Sequence, residues 1–111
     1  LGDKIRLQHI IDALETIERY TNELTLADFT SNSLYSDATA RQLEIIGEAS
    51  NRLSEPILLG NPTVPWARII GLRNMLIHEY FGIDTVAIWK IVQNSLPPFK
   101  TAIQQILATM D

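Results

Sequence analysis

From position 89 onward the apolar residues stand alternately three and four apart: Trp89, Val92, Leu96, Phe99, Ile103, Ile106 and Met110. That alternation is the seam of one helix lying along another, so the rest of the chain must supply partner helices of similar length. Residues 3–24 do so, with Leu7, Ile10, Ile11, Leu14, Ile17 and Leu24 at helical spacing and Asp3 placed to cap the start. A second long helix is predicted over about residues 37–54, burying Leu43, Ile46, Ala49 and Leu53. Its Gly47 costs about 1 kcal/mol relative to alanine in a helix interior, which predicts close approach of a neighbouring helix there. A third helix starts near Pro65, a residue suited to the first turn, and runs to about Tyr80, with Gly82 ending it. Asp84 or Thr85 caps the last helix, which Pro97-Pro98 must kink or restart.

The connections read differently. Residues 25–36 are rich in Ser, Asn, Asp and Thr and predict a mobile link with at most a short helical turn around residues 27–29. Pro56, Gly60, Pro62 and Pro65 predict a loop. The fold class that follows is all-α, an antiparallel bundle of four to five helices forming a single domain over residues 1–111.

Composition narrows the function. A chain without cysteine has neither a disulfide framework nor a thiolate metal site, which suits a reducing, cytoplasmic setting. No apolar run approaches the roughly 20 residues that cross a bilayer, and the N-terminus lacks the pattern of a signal peptide. The net charge is −4, with 9 Lys+Arg against 13 Asp+Glu. Proteins that bind nucleic acid by phosphate neutralisation are usually basic. Handling RNA would therefore require a local cationic cleft.

One helix breaks its own pattern. With Arg73 set at zero and about 100° added per residue, Trp66, Ile69, Ile70, Leu72, Leu76 and Ile77 all fall within roughly a hundred degrees of it. Tyr80 lies about 20° away, and Asn74 and His78 share the edge of that face one turn apart. An arginine thus occupies the middle of an apolar stripe, where an unpaired charge costs several kcal/mol. Either a carboxylate compensates it, from Glu44 or Glu48 on the second helix or Asp12 or Glu15 on the first, or it faces a cleft awaiting an anion. The two readings are compatible, because a carboxylate can hold an arginine in place for chemistry.

His78 has the same two readings, a hydrogen-bonded structural residue or a proton-transfer group active near neutrality beside Asn74 and Arg73. His9 has no such company and reads as a surface or packing residue. With two histidines and no cysteine a histidine-rich metal site is not expected. Tyr80 can simply close the helix end, and Trp66 and Trp89 read as core.

The run Arg73-Asn74-Met75-Leu76-Ile77-His78-Glu79-Tyr80 matches the R-x4-H-x-Y signature of HepT-like proteins of the HEPN superfamily. Trp66 with Ile69-Ile70-Gly71-Leu72, and Phe81-Gly82-Ile83-Asp84, resemble the flanking segments of that family. Ile45-Ile46-Gly47-Glu48-Ala49 resembles its second-helix motif and Leu7-Gln8-His9-Ile10 its opening helix. The resemblance implies a HEPN bundle and a metal-independent, cofactor-free endoribonuclease acting as the toxin of a type VII toxin–antitoxin pair. It also implies a homodimer with the cleft between subunits, and a partner antitoxin, the nucleotidyltransferase MntA, which transfers AMP to the signature tyrosine. Carried over, Arg73 and His78 are catalytic, Asn74 helps hold the site, Tyr80 is the modified residue, and Glu48 is the expected companion of Arg73.

RNA brings its own nucleophile, the 2′-OH. One group must take its proton, another must protonate the leaving oxygen, and a cation must stabilise the charge developing at phosphorus. One chain offers a single suitable histidine, whereas a two-fold dimer brings together two copies of His78 and of Arg73. The competing reading is a non-catalytic helical module that binds a nucleotide or a nucleotidyltransferase, with Arg73 gripping phosphate and Tyr80 merely presented. The intact Arg73–His78 pair favours the ribonuclease, since a scaffold needs no such pair.

Overall fold

The computed structural model describes residues 2–77 and 84–110, the side chains of residues 73–77 excepted. Among these the chain is all-α, with four substantial helices and no strand.

The first helix, α1 (Asp3–Thr21), buries Leu7, Ile10, Ile11, Leu14 and Ile17, as the spacing predicts. It begins one residue after Gly2, so Asp3 lies inside its first turn and does not cap it. Its carboxylate instead accepts the Ser54 N–H at 2.9 Å and the Ser54 hydroxyl at 2.6 Å, 51 residues away. These two bonds hold the Asp3 carboxyl below the usual carboxylate range, against a smaller opposing effect of burial. The helix closes at Thr21, three residues short of the predicted end, and Leu24 still packs on the core from the turn that follows.

The link expected to be mobile carries a second helix, α2 (Leu26–Ser31). Thr25 and Asp28 form a capping box, each side chain accepting the other's backbone N–H at 3.1 and 3.0 Å. Those bonds also lower the Asp28 pKa. Phe29 is fully buried, its ring 5.2 Å from that of Trp89. The long helix α3 (Ser33–Asn51) starts four residues earlier than predicted because the Asn32 side chain accepts the Leu34 N–H at 3.0 Å and caps it there. Leu43, Ile46 and Ala49 are buried along it, as is Gly47.

The expected loop around Pro56 contains a short helix, α4 (Glu55–Gly60), whose proline sits in the first turn where a missing N–H costs nothing. Helix α5 (Trp66–Ile77) follows Pro65 directly. Next comes α6 (Thr85–Lys90), capped by Asp84, which accepts the Ala87 N–H at 3.0 Å. A π-helical turn (Ile91–Ser95) then leads into α7 (Leu96–Ala108). The Leu96 N–H reaches back five residues to the Ile91 carbonyl. This widened turn is how the chain admits Pro97-Pro98: the helix restarts with both prolines in a first turn, clear of the clash they would cause mid-helix.

Helix α3 is the centre of the bundle, packed against α1 on one side and α5 on the other, while α1 also packs against α7. The start of α1 meets Ser54 just beyond the end of α3. Near the end of α1, Glu18 pairs with Lys100 in the second turn of α7 at 2.6 Å. Both pairings are therefore antiparallel. Trp66 closes the core between α5 and α7, edge-on to Phe99 at 6.0 Å, and its indole N–H donates to the Asn61 carbonyl at 3.1 Å. Each fully buried Leu, Ile or Phe here contributes about 1.5–3 kcal/mol. Among the described residues no helix is long and apolar enough to cross a membrane.

Candidate functional site

The residues singled out by sequence converge on α5 and the segment beyond it. Arg73 and Asn74 lie within α5, four and three residues before Ile77, the last described residue of the helix; the end expected at Tyr80 and Gly82 lies outside the described residues. Their side chains, together with all of His78 and Tyr80, lie outside the described residues. What the structure supplies is the setting of the helix that carries them. Trp66 and Ile69 are buried and Ile70 and Leu72 half-buried, while Ala67 and Arg68 are exposed. The face that the helical register assigns to Arg73 is thus the buried one over the described part of α5, and it is turned toward the bundle in which α3 is the neighbouring helix.

Among the four carboxylates named as companions for that arginine, Asp12 and Glu15 are exposed on α1, whereas Glu44 and Glu48 are half-buried on α3. Glu44 accepts from Arg41 at 3.2 Å and Glu48 from Arg52 Nε at 2.7 Å. Glu48 therefore stands on the helix next to α5 and is oriented by Arg52, the residue that caps the end of that helix.

These pairs line a groove of about 360 Å³ between α1 and α3, bounded by Arg6, His9, Arg41, Glu44, Glu48 and Arg52. Three guanidinium groups face two carboxylates there, a local excess of +1 in a chain whose formal charge is −4. His9 is exposed on its rim, as the surface reading expected. A wider depression of about 920 Å³ near the end of α1 has the opposite character, with Glu15, Glu18 and Glu23 against Arg19. Phosphate would be repelled from the second and tolerated in the first. Sequence reading overlooked Arg6, Arg41 and Arg52. The signal was present as Arg41–Glu44 and Glu48–Arg52 at three- and four-residue spacing, but which helix would face them was not.

Among the described residues no three His, Asp or Glu side chains converge as a metal site.

Comparison with known proteins gives one consistent result. A family model described as ribonuclease HepT-like matches residues 10–106. A protein of Methanocaldococcus jannaschii named "Putative RNase MJ1380" is 38% identical over 101 residues, covering 91% of this chain and 93% of its own length. "Probable ribonuclease HepT" of Thermococcus cleftensis is 36% identical over 100 residues, 90% of this chain and 91% of that protein. A two-part M. jannaschii protein, "Gamma-glutamylcyclotransferase and putative RNase MJ0434", is 36% identical over 108 residues; these cover 97% of this chain and 49% of its own. No solved structure gives a significant match.

Proposed function

Because the chain belongs to the HepT-like ribonuclease family, we propose that it is a metal-independent endoribonuclease and the toxin of a type VII pair. The observation that carries this reading is the family match across residues 10–106 with Arg73, Asn74, His78 and Tyr80 all in place in the signature.

In the proposed reaction a base removes the proton of a ribose 2′-OH, and the freed oxygen attacks the adjacent phosphorus. The bond from phosphorus to the 5′-oxygen breaks, and an acid protonates that leaving oxygen. The products are a 2′,3′-cyclic phosphate and a 5′-hydroxyl, and no external co-reactant is consumed. His78 from each subunit of a homodimer serves as base and as acid, and the paired Arg73 groups stabilise the charge on the phosphoryl oxygens. Asn74 helps hold the site, with Glu48 as the supporting carboxylate. The α1–α3 groove, with its local positive excess, provides a path for the RNA backbone that the net charge of the chain does not.

The partner in this reading is an MntA-like nucleotidyltransferase that transfers AMP from ATP to the Tyr80 hydroxyl, releasing pyrophosphate. The new phosphodiester adds bulk and a negative charge within the signature that carries Arg73 and His78, which blocks RNA.

The test is RNA cleavage by purified protein in EDTA, comparing wild type with His78→Ala and confirming by circular dichroism that both are folded. Cleavage that vanishes in the variant is the expected result. Absence of cleavage by wild-type protein whose mass shows Tyr80 unmodified would overturn the proposal.

A further inference from the structure

A second hollow, of about 470 Å³, opens between α5 and the π turn, within the range occupied by small-ligand sites. Its walls are apolar, with Ile69 and Leu72 from α5, Ile91 from the π turn and Pro98 from α7. Three polar side chains also line it: Arg68, Asn94 and Ser95. None of the three makes a hydrogen bond or ion pair among the described residues. A cation, an amide and a hydroxyl thus stand around one apolar recess with no protein partner among the described residues, Arg68 and Asn94 exposed to water and Ser95 half-buried.

Gly71 lines the same hollow. Glycine in a helix interior costs about 1 kcal/mol against alanine, and such a cost is usually offset by close packing. Here a Cβ at position 71 would meet nothing within 4 Å. Nothing inside the described structure requires the glycine, so the open space at its Cα is available to something from outside. In the register that sets Arg73 at zero, Gly71 falls at about 160°, the nearest of the hollow's residues to Asn74 at about 100°. Through Gly71 the hollow therefore reaches the edge of α5 that carries Asn74.

We infer that this hollow is a base-binding subsite for a nucleotide of the RNA flanking the cleaved bond, an inference that rests on the ribonuclease reading above. A planar base slides between Leu72, Ile91 and Pro98, with the bare Cα of Gly71 allowing the ring to approach the helix. Asn94 offers a donor and an acceptor to the base edge, the pairing through which proteins read single-stranded RNA. Ser95 adds a hydroxyl that both donates and accepts. Arg68, exposed at the rim, meets the phosphate of the same nucleotide or stacks on its base. Apolar walls alone would accept any base; the amide and hydroxyl make the subsite selective.

The experiment is amide chemical-shift mapping with each of the four ribonucleoside 5′-monophosphates, on wild type, Gly71→Leu and Arg68→Gln. Leucine is a strong helix former whose Cβ enters open space, and Arg68 is exposed, so thermal melts should show both variants folded. Expected are shifts centred on Arg68, Gly71, Asn94 and Ser95, with one base preferred. Gly71→Leu should raise Kd about tenfold and Arg68→Gln about threefold. On oligoribonucleotides Gly71→Leu should raise KM more than it lowers kcat and flatten the base preference beside the cut. Shifts elsewhere only, or binding unchanged in Gly71→Leu, would overturn the subsite, and cleavage dependent on His78 would then leave the ribonuclease reading standing. Binding at the hollow by a wild type that cuts no RNA would do the reverse, supporting the site while removing the nuclease.

Discussion

The groove between α1 and α3 and the hollow beside α5 are both lined by arginine and polar side chains, yet they are built on opposite plans. In the groove two of the three arginines are committed, Arg41 on Glu44 at 3.2 Å and Arg52 on Glu48 at 2.7 Å. In the hollow Arg68, Asn94 and Ser95 have no partner among the described residues. A paired charge at the surface adds little stability, but its position is set before any ligand arrives. A polar group without a protein partner, exposed beside apolar walls as Arg68 and Asn94 are, exchanges its bonds to water for bonds to whatever binds. The groove is thus suited to guiding a backbone of any sequence, and the hollow to discriminating among bases.

The largest effect expected from probing this contrast lies at the end of α1, where Asp3 clamps the helix pair that forms the groove. Asp3→Ala removes two bonds to a carboxylate and should cost about 1–3 kcal/mol in urea denaturation at neutral pH. The Asp3 pKa is lowered in the folded protein. Its contribution is therefore fully present above the unfolded value near pH 4 and is lost as pH falls through the lower folded value. The gap between wild type and variant should narrow accordingly in acid. A gap independent of pH would show that the carboxylate charge contributes nothing to the clamp.

A smaller and opposite effect is expected in the hollow. Gly71→Ala places a methyl group in open space and should raise stability by about 0.5–1 kcal/mol, read as a higher Tm. A loss of stability would mean that the glycine is needed for packing, which would remove one support of the base-binding inference.

The smallest change in stability is expected on disrupting the groove. Arg41→Ala combined with Arg52→Ala should cost less than about 1 kcal/mol, since both pairs are solvent-exposed. The same double variant should weaken RNA binding about equally for all sequences and flatten its salt dependence by about two units of slope. A change in base preference with an unaltered salt slope would break the proposed division of labour.

Two helix starts were legible from single residues: Asp84, one of the two caps expected, opens α6, and α5 begins directly after Pro65, which was expected in its first turn; the Asn32 cap of α3 was not read. The restart at Pro97-Pro98 was legible for a similar reason, because a missing N–H has few accommodations. Of the six-residue helices, α2 was legible only as a short turn around residues 27–29, and α4 not at all. Each is shorter than two turns, so no periodicity accumulates, and each is held by contacts such as that of Phe29 with Trp89 across 60 positions of sequence. The candidate residues Arg73, Asn74, His78 and Tyr80 were legible as a motif and as an anomaly in a stripe. The hollow was not legible, since five of its lining residues come from residues 65–72 and four from 91–98.

Within α3, Thr39 and Ser50 are completely buried, and their side-chain hydroxyls have no hydrogen-bond partner among the described residues. Nothing in their local sequence marks them, because the same residues on an exposed face would be satisfied by water.

By itself, then, the sequence determined which residues form the long helices and which face of each is buried, because helical spacing records burial in one dimension. It also determined the family, through a resemblance that runs from the opening helix to the segment after the signature, and the family model matches residues 10–106. Only the tertiary structure decided that α3 lies at the centre, that Asp3 serves Ser54 and not its own helix, and that Arg68, Asn94 and Ser95 share a recess. Those outcomes depend on how helices cross, and crossing is set by the fit of side chains far apart in the chain.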